Sequence, residues 1–351
     1  MSIRSKSKLI NICSANPEIY YKDIMSLDDE MYEQFRLAKK RGLMPEYLSG
    51  PAYMMWEITS LCPQKCIYCY NSSHQKAEEL TSKQLFDVAE QIIEAKPFNV
   101  CVTGGEPTTR EEYFDLLRYL SSSGILIGTI LSGVNITKAK ALKIASCAKA
   151  IQISLDGSKA EIHDMLRQRQ GSFEDAVNAI RYFVDFGVGV NISFAATKIN
   201  IEDFPKFHEF VSKLGVATIR TQKLAISGRA KENENSIRPT KEQYDEFIAY
   251  INNKSNKKGL CKIEFGDPCI HIKSGLDYNL AVLARVSSTG NVGISPYFNI
   301  FFGNLKTESL HNIWEKMKNG WSNPDVIDIL SKDTGISNCE IVDRMKKTLV
   351  V

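Results

Sequence analysis

The sequence predicts an α/β fold built from parallel strand–helix units, followed by a smaller α+β unit. Three observations predict it. Short apolar runs of strand length recur along the first two thirds of the chain, amphipathic stretches with helix start signals lie between them, and the last ninety or so residues lose that alternation. The 351 residues, 43% hydrophobic and 24% charged, are enough for a large buried core. A net charge of +3 gives no reason to expect nucleic acid or an anionic membrane as partner. No apolar run approaches the length of a membrane span, and the basic N-terminus is not followed by a signal-peptide pattern.

Taken in order, residues 1–50 form a helical extension. Ser26 caps a helix that runs to Arg41 and ends at Gly42. The barrel region, residues 51–255, begins with the strand at Tyr53–Thr59. Further strands are expected at Asn99–Thr103, Ile125–Leu131, Ala150–Leu155, Val188–Ala196 and Val216–Lys223. Between them, Thr81-Ser-Lys-Gln84 is a capping box, Ser172 opens a helix that Gly187 ends, and another helix stops at Gly215. Six such units do not complete an eight-fold barrel. Thr240-Lys-Glu-Gln243 caps one more helix, and Lys254-Ser-Asn-Lys-Lys-Gly259 is a polar linker that reads as a domain boundary. In residues 260–351 a hairpin turns near Thr289-Gly-Asn-Val292, and a helix covers about Ser309–Met317.

The chemistry concentrates after the first strand, in Cys62-Pro-Gln-Lys-Cys66-Ile-Tyr-Cys69. Three thiolates are one short of the four that close a structural zinc or [4Fe–4S] site, so a cubane held here keeps one iron open to an outside ligand. The same spacing also serves a zinc knuckle with a distant fourth ligand, or three packed thiols. The second strand ends in Gly104-Gly105-Glu106-Pro107, where adjacent glycines let backbone come close to a neighbour. The fourth ends in Ile153-Ser-Leu-Asp-Gly157, followed by His163-Asp-Met-Leu-Arg167. Nine cysteines, three at metal spacing and six scattered, fit a reducing, cytoplasmic setting.

These motifs resemble the radical S-adenosylmethionine (radical SAM) enzymes, in the subgroup with a C-terminal SPASM or twitch domain. The resemblance runs from about Tyr53 to Trp314 and is looser after Leu260. It implies an open (β/α)6 partial, TIM-like barrel with a small α+β SPASM/twitch-like domain. It implies one [4Fe–4S] cluster on Cys62, Cys66 and Cys69, whose open iron chelates the amino and carboxylate groups of SAM. It assigns SAM contacts to Tyr68, Gly104, Gly105, Glu106, Pro107, Ser154, Asp156, Asn191 and Arg167, and Asn200 also matches. Gly228-Arg-Ala230 extends the match without a role. The tail departs from the family. Ser295 stands where relatives place a cluster cysteine, and only Cys261, Cys269 and Cys339 remain, so this domain is read as degenerate.

The activity implied is reductive cleavage of SAM and hydrogen abstraction from an unactivated carbon, in epimerisation or cross-linking of a ribosomally made peptide. The alternatives are a small natural-product substrate (sugar, aminocyclitol or tetrapyrrole) and a non-catalytic iron–sulfur or zinc scaffold. The implied partners are the peptide or small-molecule substrate and a flavodoxin- or ferredoxin-type electron donor; a leader-binding protein, if used, is a separate chain. Cys261, Cys269 and Cys339 are candidate hydrogen donors to a substrate radical. His74, His208 and His311 lack ligand spacing and read as surface or capping residues.

Overall fold

A computed structural model describes residues 37–38, 40–43, 48–71, 73, 78–254, 257–266, 282–297 and 301–321. Most of the expected N-terminal helix, and Cys269, Cys339 and His74, lie outside the described residues. Strands β1 (Tyr53–Glu57), β2 (Asn99–Thr103), β3 (Leu126–Leu131), β4 (Ala150–Ser154), β5 (Val190–Ala195) and β6 (Thr218–Gln222) follow one another in parallel, as the alternation predicts. Helices α1 (Ser82–Ala95), α2 (Tyr113–Ser122), α3 (Lys138–Cys147), α4 (Ala160–Arg167), α5 (Ser172–Asp185) and α6 (Phe204–Lys213) make the crossovers. Local chemistry sets their ends. Thr81 and Gln84 form the reciprocal capping box of α1, and the Asp164 carboxylate accepts the Gly171 and Phe173 amides (2.7 and 2.8 Å) that open α5.

The sheet does not stop at six strands. After α7 (Arg229–Glu232), α8 (Glu234–Ile237) and α9 (Lys241–Lys254), β7 (Lys262–Gly266) adds in parallel to β6. The polar linker at 254–259 is therefore a connection within the sheet. On the opposite edge β8 (Leu283–Val286) pairs in parallel with β1, and β9 (Asn291–Gly293) and β10 (Phe301–Asn304) follow antiparallel. Gly290, at φ +89°, turns the β8–β9 hairpin. The last described helix, α10 (Leu310–Trp321), packs on α1 and β10.

Period-two alternation divides the sheet into two unlike faces. Met54, Trp56, Val102, Ile153, Phe194 and Ile219 point to the helices and belong to one apolar core. The other face is polar. Strand register aligns Glu57 with Thr103, Gln152 with Asn191, Ser154 with Ser193, and Arg220 with Glu264. Arg220 on β6 exerts its charge on Cys101 on β2. Those strands would stand roughly 19 Å apart in a flat sheet, so the sheet curls and its polar face is the inner one.

Candidate active site

The cysteine loop crosses the C-terminal ends of the strands and is held from several sides. The two glycines hold its beginning. Gly105 and Glu106 donate their amides to the Thr59 and Leu61 carbonyls, both at 2.7 Å. A Cβ on Gly104 would meet Thr59 O at 2.5 Å, and one on Gly105 would meet Leu61 O at 2.3 Å. The close approach that demands glycine is thus to the chain's own loop. Glu106 is 1% exposed, and its carboxylate accepts from Thr108 Oγ1 (2.7 Å) and from the Ser132 amide (2.6 Å) and hydroxyl (2.5 Å). It therefore ties β2 to the end of β3, while Pro107 opens a short 3-10 turn.

Next along the loop, Lys65 and Ile67 donate to the carbonyls of Arg167 and Leu166 at the end of α4 (3.2 and 3.0 Å). This brings Tyr68, Asp156 and Arg167 together beside Cys66. Asp156 is fully buried; it accepts from Tyr68 Oη, from Arg167 Nε at 2.6 Å and from the Ala195 amide at 2.9 Å. Arg167 lies over the Tyr68 ring, 5.4 Å from its centre, and turns Nη1 to Cys66 Sγ at 3.7 Å. Burial works against the Arg167 cation, but the Asp156 carboxylate holds it charged. Asn200 Nδ2 bonds the carbonyls of Asp156 and Ala195 (2.9 and 3.0 Å), which makes it a brace for the β4 turn.

Sequence reasoning missed His163. Its Nδ1 accepts the Asp156 amide at 3.1 Å, which requires a neutral ring. Burial, with the Arg167 cation adding to it, pushes His163 down to about 4. An i, i+7 spacing between the two residues was the available signal, and nothing in the pattern distinguished it from chance.

Two of the three loop cysteines have a hydrogen-bond donor suited to a thiolate. The Gln64 backbone amide serves Cys62 and the Arg167 guanidinium serves Cys66. The Cys69 thiol instead donates to Ser73 Oγ at 3.9 Å. Burial pushes the Cys62 thiol up to about 12, and the Cys66 thiol is raised for the same reason. Buried thiols of that kind lose their protons to a metal rather than to water. Three cysteine thiols on one loop, with a buried guanidinium beside Cys66, are a donor set that fits an iron–sulfur cluster.

Two expectations need correction. Cys261 faces the helix layer and not the inner face: Ser212 Oγ lies 3.3 Å from its Sγ, and the residue belongs to the apolar core. His208 is not a surface residue. It is fully buried, with Nε2 at 2.8 Å from the Cys261 carbonyl and Nδ1 at 3.2 Å from Tyr250 Oη. Ser154 and Asn191, in contrast, do lie on the inner face, one strand apart. In the tail, Ser295 is buried and its hydroxyl accepts the Tyr297 amide at 3.2 Å, a turn-capping role in the place of a cysteine ligand.

Comparison with known proteins adds to this geometry. Residues 56–211 match the family model described as the radical SAM superfamily. The mycofactocin maturase MftC of Mycolicibacterium smegmatis is 29% identical over 286 residues, 76% of this chain and 71% of that protein. The PqqA peptide cyclase of Rhizobium meliloti is 26% identical over 292 residues, 80% of this chain and 77% of that one. Among solved structures, Streptococcus suis SuiB bound to S-adenosylmethionine superposes with a TM-score of 0.65 at 17% identity, covering 97% of this chain and 82% of that chain. At that identity the likeness is one of fold.

Proposed function

We propose that the chain, whose residues 56–211 match the radical SAM superfamily model, is a radical SAM enzyme that matures a ribosomally made peptide by cross-linking or epimerising it. A [4Fe–4S] cluster, when bound, supplies the electron that cleaves SAM to a 5′-deoxyadenosyl radical, which removes hydrogen from an unactivated substrate carbon. Cys62, Cys66 and Cys69 would hold that single cluster. Tyr68, Asp156 and Arg167 would fix the wall beside Cys66, and Arg167 is placed to offer its remaining donors to a carboxylate. Ser154 and Asn191 would line the SAM side of the inner face. Glu106 would act by holding the Gly104–Gly105 turn against the cysteine loop.

The observation that carries the SAM-cleaving part is the loop of three cysteines, two of them facing a donor, set at the strand ends over a polar inner face. The peptide part is supported by the relatives, one named for cyclising the PqqA peptide; SuiB has also been solved with its precursor peptide SuiA. Among the described residues no helix is long and apolar enough to cross a membrane, in keeping with a cytoplasmic enzyme fed by a flavodoxin- or ferredoxin-type donor. The test is anaerobic reconstitution with iron and sulfide, then dithionite and SAM. The proposal expects 5′-deoxyadenosine, with deuterium appearing in it when the true peptide is supplied labelled. A fully loaded protein that leaves SAM intact would refute it.

A further inference from the structure

The segment after β6, carrying the Gly228-Arg-Ala230 stretch, lies across the cysteine loop and holds it by its carbonyls. Ser227 Oγ donates to Tyr70 O at 3.1 Å, and Asn233 Nδ2 donates to Ile67 O at 3.1 Å. Arg229 spreads its guanidinium over three acceptors: Nε to Cys66 O at 3.0 Å, Nη1 to Ser73 O at 2.8 Å and Nη2 to Ser73 Oγ at 3.0 Å. Ser73 is buried, 5% exposed. Arg229 holds its oxygen in place, and with Cys69 as a thiol the Sγ proton is donated to that same oxygen at 3.9 Å. As a thiolate the sulfur can only accept, so the proton across this contact must then come from the Ser73 hydroxyl.

We propose that Arg229 and Ser73 are positioning residues for the cluster: Arg229 orients the Ser73 hydroxyl so that it donates to the Cys69 thiolate, and so raises the potential at which the cluster accepts its electron. This rests on the reading that Cys62, Cys66 and Cys69 hold a cluster. The physical basis is that a reduced cluster carries more negative charge on its sulfurs, so a donor aimed at a ligand sulfur favours the reduced form. Arginine suits the task because its planar fork reaches three acceptors at once, which a lysine ammonium on a flexible stem does not match. The clasp also makes the cluster loop depend on β6, whose inner-face residue Gln222 bonds Tyr297 of the tail.

The test is an EPR-monitored redox titration of the reconstituted full chain without SAM, with iron counted per chain. Ser73→Ala is expected to shift the equilibrium about tenfold toward the oxidised cluster, about 59 mV for one electron. Ser73→Thr, which keeps the hydroxyl, stays near the parent. Arg229→Lys, which keeps the charge but not the fork, shifts in the same direction as Ser73→Ala. Should Ser73→Ala fail to retain iron, retention by Ser73→Thr supports the proposal, and equal loss in both variants overturns it. Midpoints unchanged in both Ser73→Ala and Arg229→Lys also overturn it. A parent chain that takes up no cluster refutes the cluster reading itself, and the proposal with it.

Discussion

Gly105→Ala is the sharpest test of how the loop is held. The added methyl would stand 2.3 Å from Leu61 O and 2.6 Å from Ser60 O, and both are backbone atoms that no rotamer change can move. Relief requires parting the β2 turn from the cysteine loop, which breaks the bonds from Gly105 N to Thr59 O and from Glu106 N to Leu61 O. Overpacking costs about 1–3 kcal/mol and each lost backbone bond about 1 kcal/mol. The expected destabilisation is thus about 3–5 kcal/mol, with the loop beginning at Cys62 displaced as well. Denaturant unfolding measures the first effect, and iron retained per chain after anaerobic reconstitution measures the second. Gly189→Ala is the control, since a Cβ there meets nothing within 4 Å. If Gly105→Ala unfolds and loads iron like the parent, the argument from close approach is wrong.

Further outcomes follow from the site. Asp156→Ala leaves the Arg167 cation buried without its carboxylate and should cost about 3–5 kcal/mol in denaturant unfolding. Asp156→Asn, which keeps an acceptor for Ala195, should cost less. Burial holds the folded His163 at about 4, below the usual 6.5, so the unfolded chain binds the extra proton first as pH falls. Its contribution is present above about pH 6.5 and is lost toward pH 4, by about 3 kcal/mol in all. His163→Gln should therefore lose less stability than the parent between pH 7 and pH 5. Cys261→Ala removes a packed thiol from the helix layer. It should lower stability by about 1–2 kcal/mol and leave conversion of the substrate to product at the parental rate, whereas removal of a hydrogen donor would abolish that conversion while 5′-deoxyadenosine still forms.

What the sequence made legible was what is local. Six strands and their crossover helices could be read because each apolar run and each cap sits within one element, and the cysteine loop because its ligands span eight residues. The seventh strand was hidden by its own function. Lys262-Ile-Glu-Phe-Gly266 alternates because Glu264 faces the polar interior toward Arg220, and the polar linker before it looked like an ending. On the other edge β8 pairs with β1, and there Arg285 meets Glu57 at 2.7 Å across 228 residues. Likewise Arg229 reaches Ser73 across 156 residues. No window of sequence contains both partners of either contact. The glycines at 104 and 105 were found for a sound reason, but the neighbour they approach is the protein's own backbone.

The central claim is that three cysteines hold a cluster whose remaining iron binds SAM itself. It is tested most directly by pulsed EPR on the reduced, reconstituted protein mixed with SAM carrying ¹⁵N at its amino group. The account predicts ¹⁵N hyperfine coupling to the cluster, replaced by a ¹⁴N coupling when unlabelled SAM is used. A protein with about four irons per chain that binds SAM yet shows no such coupling would contradict it.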